Sequence, residues 1–461
     1  MSERCCTEFS RSSLLRRAAA EAGSGLPVIE PGMPVPAGTG LDRRSFLARS
    51  AGLALAVYGA GTLRLPGLEE GIAKAATGRP ILVSVFMAGG TDSLSLLFPH
   101  ADPDYRALRP KLALPDSGLT FAEDARLRWH PAAAAFEALH REGKLSVAPA
   151  VGYADADQSH FTSRHYWEVG ATNAGLRTGW LGRYLDRTGE PDNPLQGLSL
   201  DDELAPSLAS ARVPVSALRG ADQYSFGSHN VWGEVESRML EAIGALGGGA
   251  GAAGDPARAQ AGAIATQADQ LRRQLQPFRV KGPDGNRFGS PVPYPKHRSA
   301  FPQRLAGLAA MISAGLPLHC VALNAYGMYD THSEQPAALA AGLQVTGDSL
   351  LAFQRDLEAR GVADRVVTLV WSEFGRRAKE NGSNGTDHGA AGIAFLMGSR
   401  VRGRLLGEFP GLAGGLDRQG NLRATTDFRT LYSSLLEQWL ATDAAAVIPG
   451  AASYGRIPLL R

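Results

Sequence analysis

The chain has 461 residues, with 47 Lys and Arg against 45 Asp and Glu, 44% hydrophobic residues and 3 cysteines. A net charge of +2, without a basic stripe interleaved with aromatics, argues against a nucleic-acid binder, whose phosphate contacts need a concentrated excess of Lys and Arg. The length suffices for one large core or two smaller ones.

The first 75 residues read as a leader. A stretch with Pro31, Pro34, Pro36 and many Gly and Ser reads as unstructured. It is followed by Asp42-Arg43-Arg44-Ser45-Phe46-Leu47, the apolar run over 51–57 and the small-residue pattern Ala73-Lys74-Ala75. This is the layout of a twin-arginine export signal, too short in its apolar part for a membrane span of about 20 residues. The expectations are cleavage near Ala75, no transmembrane anchor afterwards, a periplasmic or otherwise exported location, and the twin-arginine translocase as export partner. That route often serves proteins that acquire a cofactor or metal before crossing the membrane. The arginine pair lies far from Met1, and translation from Met33 would place it at an ordinary distance. Beyond the leader the chain is formally neutral. Cys5 and Cys6 leave with the leader, so no intrachain disulfide can form. Cys320, within an apolar run, reads as a buried, inert thiol.

In chain order, a β-branched apolar strand over 81–87 ends at Gly89-Gly90. A helix over 132–140, a strand over 145–150 and a helix over 161–169 follow. Helices over 234–245 and 257–275 flank a Gly/Ala excursion near 246–256. A Pro- and Gly-rich segment at 281–298 reads either as a functional rim loop or as mobile. A helix over 304–314, a strand over 318–323, a helix over 345–360 and strands over 366–371 and 393–397 complete the pattern. Strands alternating with helices predict one α/β domain over 76–461, a mostly parallel sheet flanked by helices on both faces.

In such folds ligands bind beyond the carboxyl ends of the strands. The residues following the apolar runs are Asp92, then Asp330 and His332, then Glu373 and Arg376, with Asp387 and His388 in the next polar loop. These carboxylates and histidines could converge on one edge and hold one or two divalent ions: Zn²⁺, Mn²⁺, Mg²⁺ or Ca²⁺. Each has a plainer reading: Asp92 as a helix cap, Asp330 and His332 as a hydrogen-bonded turn, Glu373 as a partner of Arg376 or Arg377. Ser159, His160 and Arg164 open a predicted helix, whose N-terminus attracts anions. Ser159 could be a nucleophile facing an anionic ester with His160 or Arg164 near the charge, or a simple N-cap.

The leader, Gly89-Gly90-Thr91-Asp92-Ser93-Leu94, Ser159-His160-Phe161, Gly179-Trp180-Leu181-Gly182-Arg183, Asp330-Thr331-His332, Ser372-Glu373-Phe374-Gly375-Arg376 and Asp387-His388-Gly389 resemble the bacterial exported family known as domain of unknown function 1501. That family is similar to the alkaline phosphatase and sulfatase superfamily. The resemblance implies an alkaline-phosphatase-like fold and an exported metal-dependent hydrolase of phosphate or sulfate esters, or a non-catalytic accessory protein binding a glycan or an exported partner. It implies one ion on Asp92 and Glu373, a second on Asp330, His332 and His388, Ser159 in the nucleophile region, and supporting roles for Asp387 and Arg376. The chain lacks the formylglycine signature of sulfatases. Its Asp330-x-His332 spacing is tighter than the ligand spacing of alkaline phosphatases, and Glu373 stands where relatives often show Asp or Asp-His.

N-terminal sequencing of the exported protein should read from about residue 76. A precursor that begins before Met33 would rule out the internal start.

Overall fold

The run Ile81–Phe86 is buried at every position, which only a strand in the interior of a sheet covered on both faces can satisfy. The computed structural model describes residues 55–58, 78–115, 118–223, 233–249, 256–279 and 288–461. The strands are β1 (Leu55–Tyr58), β2 (Ile81–Phe86), β3 (Leu97–Phe98), β4 (Leu119–Thr120), β5 (Arg128–Trp129), β6 (Leu145–Gly152) and β7 (Gly197–Ser199). They continue with β8 (Val215–Leu218), β9 (Cys320–Asn324), β10 (Val366–Trp371), β11 (Arg376–Glu380), β12 (Thr386–His388), β13 (Gly392–Met397) and β14 (Thr426–Asp427). The helices are α1 (Ser93–Leu96), α2 (Pro103–Leu108), α3 (Ala134–Arg141), α4 (His160–Val169) and α5 (Trp180–Thr188). Then come α6 (Gly233–Gly249), α7 (Pro256–Leu275), α8 (Phe301–Ser313), α9 (Gln335–Ala359) and α10 (Phe428–Gln438).

Among the described residues, nine strands form the main sheet in the order β1-β8-β7-β9-β2-β10-β13-β6-β14. All run parallel except β1 and β13, which pair antiparallel with their neighbours. The alternation of β2 divides the core. Ile81, Val83 and Val85 pack with Leu305 and Leu308 of α8, Leu343 and Phe353 of α9, and Phe136 of α3. Leu82 and Phe86 face the opposite layer with Trp167 of α4, Trp180 of α5 and Leu431 of α10. The expected α/β architecture with helices on both faces is the observed one.

The long apolar strands fall where the sequence places them, while β7, β8 and β14, at 3, 4 and 2 residues, are too short to leave a periodic signal. Helix α9 begins at Gln335 rather than at 345, with Pro336 in its first turn where a missing N–H costs nothing. In the excursion at 281–298, residues 281–287 lie outside the described residues. The remainder is fastened to α9, because Ser290 Oγ and Tyr294 OH donate to the buried Asp356 Oδ2 at 2.9 and 3.0 Å. The twin-arginine motif, the cleavage site at Ala75 and residues 250–255 of the Gly/Ala linker also lie outside the described residues. Leu55–Tyr58, inside the expected leader at the end of its apolar run, form edge strand β1 on β8, and cleavage near Ala75 would remove that strand. Among the described residues no helix is long and apolar enough to cross a membrane. Cys320 is buried and unpaired in β9, and burial pushes its thiol up, away from reactivity.

The Gly-Trp-Leu-Gly-Arg run serves packing. A Cβ on Gly182 would stand 2.0 Å from the Ala209 carbonyl oxygen, and Arg183 donates to the carbonyls of Thr178, Val169 and Val447 at 2.5, 2.6 and 2.7 Å. Gly182→Ala should therefore lower the unfolding free energy by about 1–3 kcal/mol in a denaturant titration, because α5 must move off its neighbour.

Candidate metal centre

The site lies at the carboxyl edge of the parallel strands. Past β2 the chain turns through Gly89 and Gly90 with φ of 118° and 74°. A Cβ on Gly89 would sit 2.2 Å from Asp330 N, and one on Gly90 would sit 2.3 Å from the Phe374 ring, so both positions require glycine. The turn aims two N–H groups at one carboxylate: Gly89 N donates to Glu373 Oε1 and Oε2 at 3.0 and 3.1 Å, and Gly90 N to Oε2 at 3.1 Å. Ser372 Oγ lies 3.0 Å from Oε2, and His160 Nδ1 lies 2.8 Å from Oε1. Burial pushes the Glu373 carboxyl up, but the His160 contact and the backbone amides outweigh it and hold the group below its usual range.

His160 is the first residue of α4 and points its Nε2 at Asp330 Oδ1, 3.4 Å away. His332 Nε2 lies 3.1 Å and His388 Nε2 3.3 Å from the same oxygen, and the latter two nitrogens are 2.9 Å apart. The opposite ring nitrogens are all engaged: His160 Nδ1 by Glu373, His332 Nδ1 by Asp387 Oδ1 at 3.2 Å, and His388 Nδ1 by the Gln158 carbonyl at 2.7 Å. Since these partners are acceptors, each neutral ring carries its proton on Nδ1, and three Nε2 lone pairs face a carboxylate oxygen. Lone pairs converging without protons between them are satisfied by a cation. Ligand atoms bound at about 2.0–2.1 Å to a tetrahedral zinc ion stand about 3.3 Å apart, close to the separations of Asp330 Oδ1 from the three Nε2 atoms and of His332 Nε2 from His388 Nε2. The ligand atoms of His160, Asp330 and His388 all lie within 4.8 Å of one another. Carboxylate and carbonyl partners behind the imidazoles are the usual support of metal-bound histidines.

Arg376 closes the site from below. Its fully buried guanidinium donates to the carbonyls of Gly89, Gly90, Tyr329 and Thr386 and to Asp330 Oδ1. Burial alone would raise the Asp330 carboxyl; with no ion bound, hydrogen bonds from the three histidines when their Nε2 atoms are protonated, together with the charge of Arg376, hold it far below the usual carboxylate range.

The structure thus gathers Asp330, His332 and His388 and adds His160, which sequence reading placed with the catalytic candidates. Glu373 stands behind His160, its oxygens occupied, and Asp387 stands behind His332. Asp92 does not join them. It caps α1 through Leu94 N at 3.2 Å and is held bidentately by the buried Arg109 at 2.6 and 3.0 Å. Burial raises the Asp92 carboxyl, but the Arg109 charge and hydrogen bonds lower it overall. The Asp92–Glu373 ion site implied by resemblance is therefore not assembled, because each carboxylate is saturated by protein donors. Ser159 occupies the N-cap of α4 without a side-chain capping bond. Arg164, one turn beyond His160, pairs with Glu168 at 3.0 Å and lies 4.7 Å over the Phe86 ring. Arg109 and Gln335 carry no sequence signal, since a lone Arg or Gln is ordinarily a surface residue.

A family model described as "Protein of unknown function (DUF1501)" matches residues 130–448. The chain belongs to the DUF1501 family. The matched region holds all four converging side chains, His160, Asp330, His332 and His388, whereas Asp92 precedes it. No curated protein matches this DUF1501 chain. Among solved structures it is similar to Ps i-CgsB in complex with k-i-k-neocarrahexaose, at 9% identity and TM-score 0.35, over 82% of this chain and 75% of that one. It is also similar to the C-terminal periplasmic domain of EcEptC from Escherichia coli, at 7% identity and TM-score 0.33, over 81% and 88% of the two chains. A third likeness is to the soluble domain of lipooligosaccharide phosphoethanolamine transferase A from Neisseria meningitidis, at 11% identity and TM-score 0.33, over 86% and 96%. At such distances the chemistry rests on this chain's own side chains.

A depressed folded-state carboxyl stabilises the fold above its unfolded value of about 3.9, and that contribution is lost as the pH falls below about 4. The metal-free protein should therefore lose stability steeply in acid. Asp330→Asn should flatten that limb in denaturation series run from pH 6 downward, as compared with wild type.

Proposed function

We propose that this DUF1501 protein is an exported metal-dependent hydrolase of phosphate or sulfate esters that holds one divalent ion on His160, Asp330, His332 and His388. The observation that carries the reading is the set of three Nε2 atoms facing one Asp330 oxygen with every Nδ1 anchored. A donor set of three imidazoles and one carboxylate suits zinc better than magnesium or calcium, which prefer all-oxygen shells. A bound ion would supply Lewis-acid polarisation and positive charge for an anionic ester.

The protein's own residues do the rest. Glu373, Asp387 and the Gln158 carbonyl keep the imidazoles in the Nδ1–H tautomer and fix their planes. Arg376 keeps Asp330 ionised and aimed inward. Arg164, partly exposed and one turn from His160, is our assignment for the cation that would meet the non-bridging oxygens of the ester. Ser159, next to His160 and with its hydroxyl outside the helix cap, is our assignment for the attacking group. Export by the twin-arginine translocase belongs to the same proposal and rests on Arg43-Arg44 and the apolar run that follows.

A second reading, an exported accessory protein that binds a glycan or partner and keeps a structural ion, draws on the commitment of Asp92 to Arg109, which takes Asp92 away from a second ion of the kind two-ion phosphoryl transfer uses.

Mass spectrometry of chelator-free protein should find close to one zinc per chain, lost in His388→Ala while the fold survives. An ester panel should then show turnover that disappears in Ser159→Ala with its zinc retained. Zinc without turnover on any ester would support the accessory reading, and no zinc would overturn the hydrolase.

A further inference from the structure

Beneath the ligand loops lies a buried polar network that includes none of the four converging side chains. Its centre is Gln335, 1% exposed and the first residue of α9. Thr331 Oγ1 and Thr386 Oγ1 both donate to its Oε1, at 3.0 and 2.6 Å. Its Nε2 donates to Asp92 Oδ2 at 2.5 Å and lies 3.3 Å from Ser95 Oγ. The carboxamide thus spends its full capacity, two acceptances and two donations, and its orientation is fixed by the ionised Asp92 on one side and two hydroxyls on the other.

The positions of those hydroxyls matter. Thr331 stands between Asp330 and His332, and Thr386 stands two residues before His388. The two segments also meet directly, Thr386 N donating to Thr331 O at 3.1 Å. On the far side, Asp92 is held by Arg109, whose guanidinium donates to the carbonyls of Ala378 and Arg377 in β11 at 2.8 and 2.9 Å. A continuous chain of hydrogen bonds therefore runs from the β11–β12 hairpin through Arg109, Asp92 and Gln335 to both ligand loops.

We propose that Gln335, oriented by the Asp92–Arg109 pair, is the positioning residue of the metal centre: it sets the separation between the Asp330–His332 loop and the His388 strand before an ion arrives. The inference rests on the metal-centre reading and extends it to residues that cannot be ligands. It also accounts for Asp92, which sits where a ligand was expected and acts one step removed.

The test is zinc affinity, measured on the full protein by competition with a chromophoric chelator, beside thermal unfolding of the metal-free form. Gln335→Met and Thr386→Val should each weaken zinc binding by about 10–100-fold, the range for lost outer-sphere support. Thr386→Ser, which keeps the hydroxyl, should stay within about threefold of wild type on the same argument. Asp356→Asn, at the other end of the same helix, should lower the melting temperature without moving zinc affinity. Gln335→Met binding zinc as tightly as wild type would overturn the inference. So would Asp356→Asn weakening zinc as much as Gln335→Met, since loss of affinity would then only track stability. A wild type that takes up no zinc overturns the metal reading itself, and this failure shows before any substitution is made.

Discussion

A single guanidinium, fully buried, stitches together three of the chain segments that form the site. Arg376 spends its donors on the carbonyls of Gly89 and Gly90 after β2, on Tyr329 and Asp330 after β9, and on Thr386 in β12. An unpaired buried cation would cost several kcal/mol, so these segments cannot separate while the fold persists. The charge of Arg376 also requires Asp330 to stay ionised, which gives three histidines a common target. Glu373 is the counterpart on the other side: a buried carboxylate satisfied by two glycine amides, a serine and His160. The centre is thus built from paired opposites, each making the other's burial tolerable.

Topology puts these residues at one edge. In a wholly parallel sheet the segment preceding a strand lies at the edge opposite the segments that follow strands. Because β13 runs against β10, the residues before β13 return to the carboxyl edge of β2, β9 and β10. The short β11–β12 hairpin makes that return and pairs Arg376 with His388 across its register. One reversed strand therefore delivers His388 to the arginine that follows β10 and organises it.

Much of this was legible in advance. Strands such as Val366–Trp371 are near-continuous apolar runs without polar alternation, the pattern of a strand buried on both faces. The sequence reading set the polar residues just past them at one edge, and the structure brings Asp330, His332 and His388 among them into contact. What stayed hidden was the distribution of roles. Glu373 and Asp92 have the ligand's chemistry in sequence, but a carboxylate can be satisfied equally by amides, a guanidinium or an ion, and only neighbours from distant segments decide which. His160 illustrates the converse: at a helix start it reads as a group near an anion, whereas its imidazole is fixed by Glu373, more than two hundred positions away.

The sequence by itself determined the sheet's interior strands, the helices on both faces, the membership of one family and the edge at which chemistry gathers, because hydrophobic periodicity and strand-end position are local properties. The tertiary structure alone decided which polar residues converge and which support. That choice depends on long-range pairing of buried charges, with Asp92 committed to Arg109 and Asp330 to Arg376 and the histidines, and no local pattern encodes which acid a distant arginine will reach.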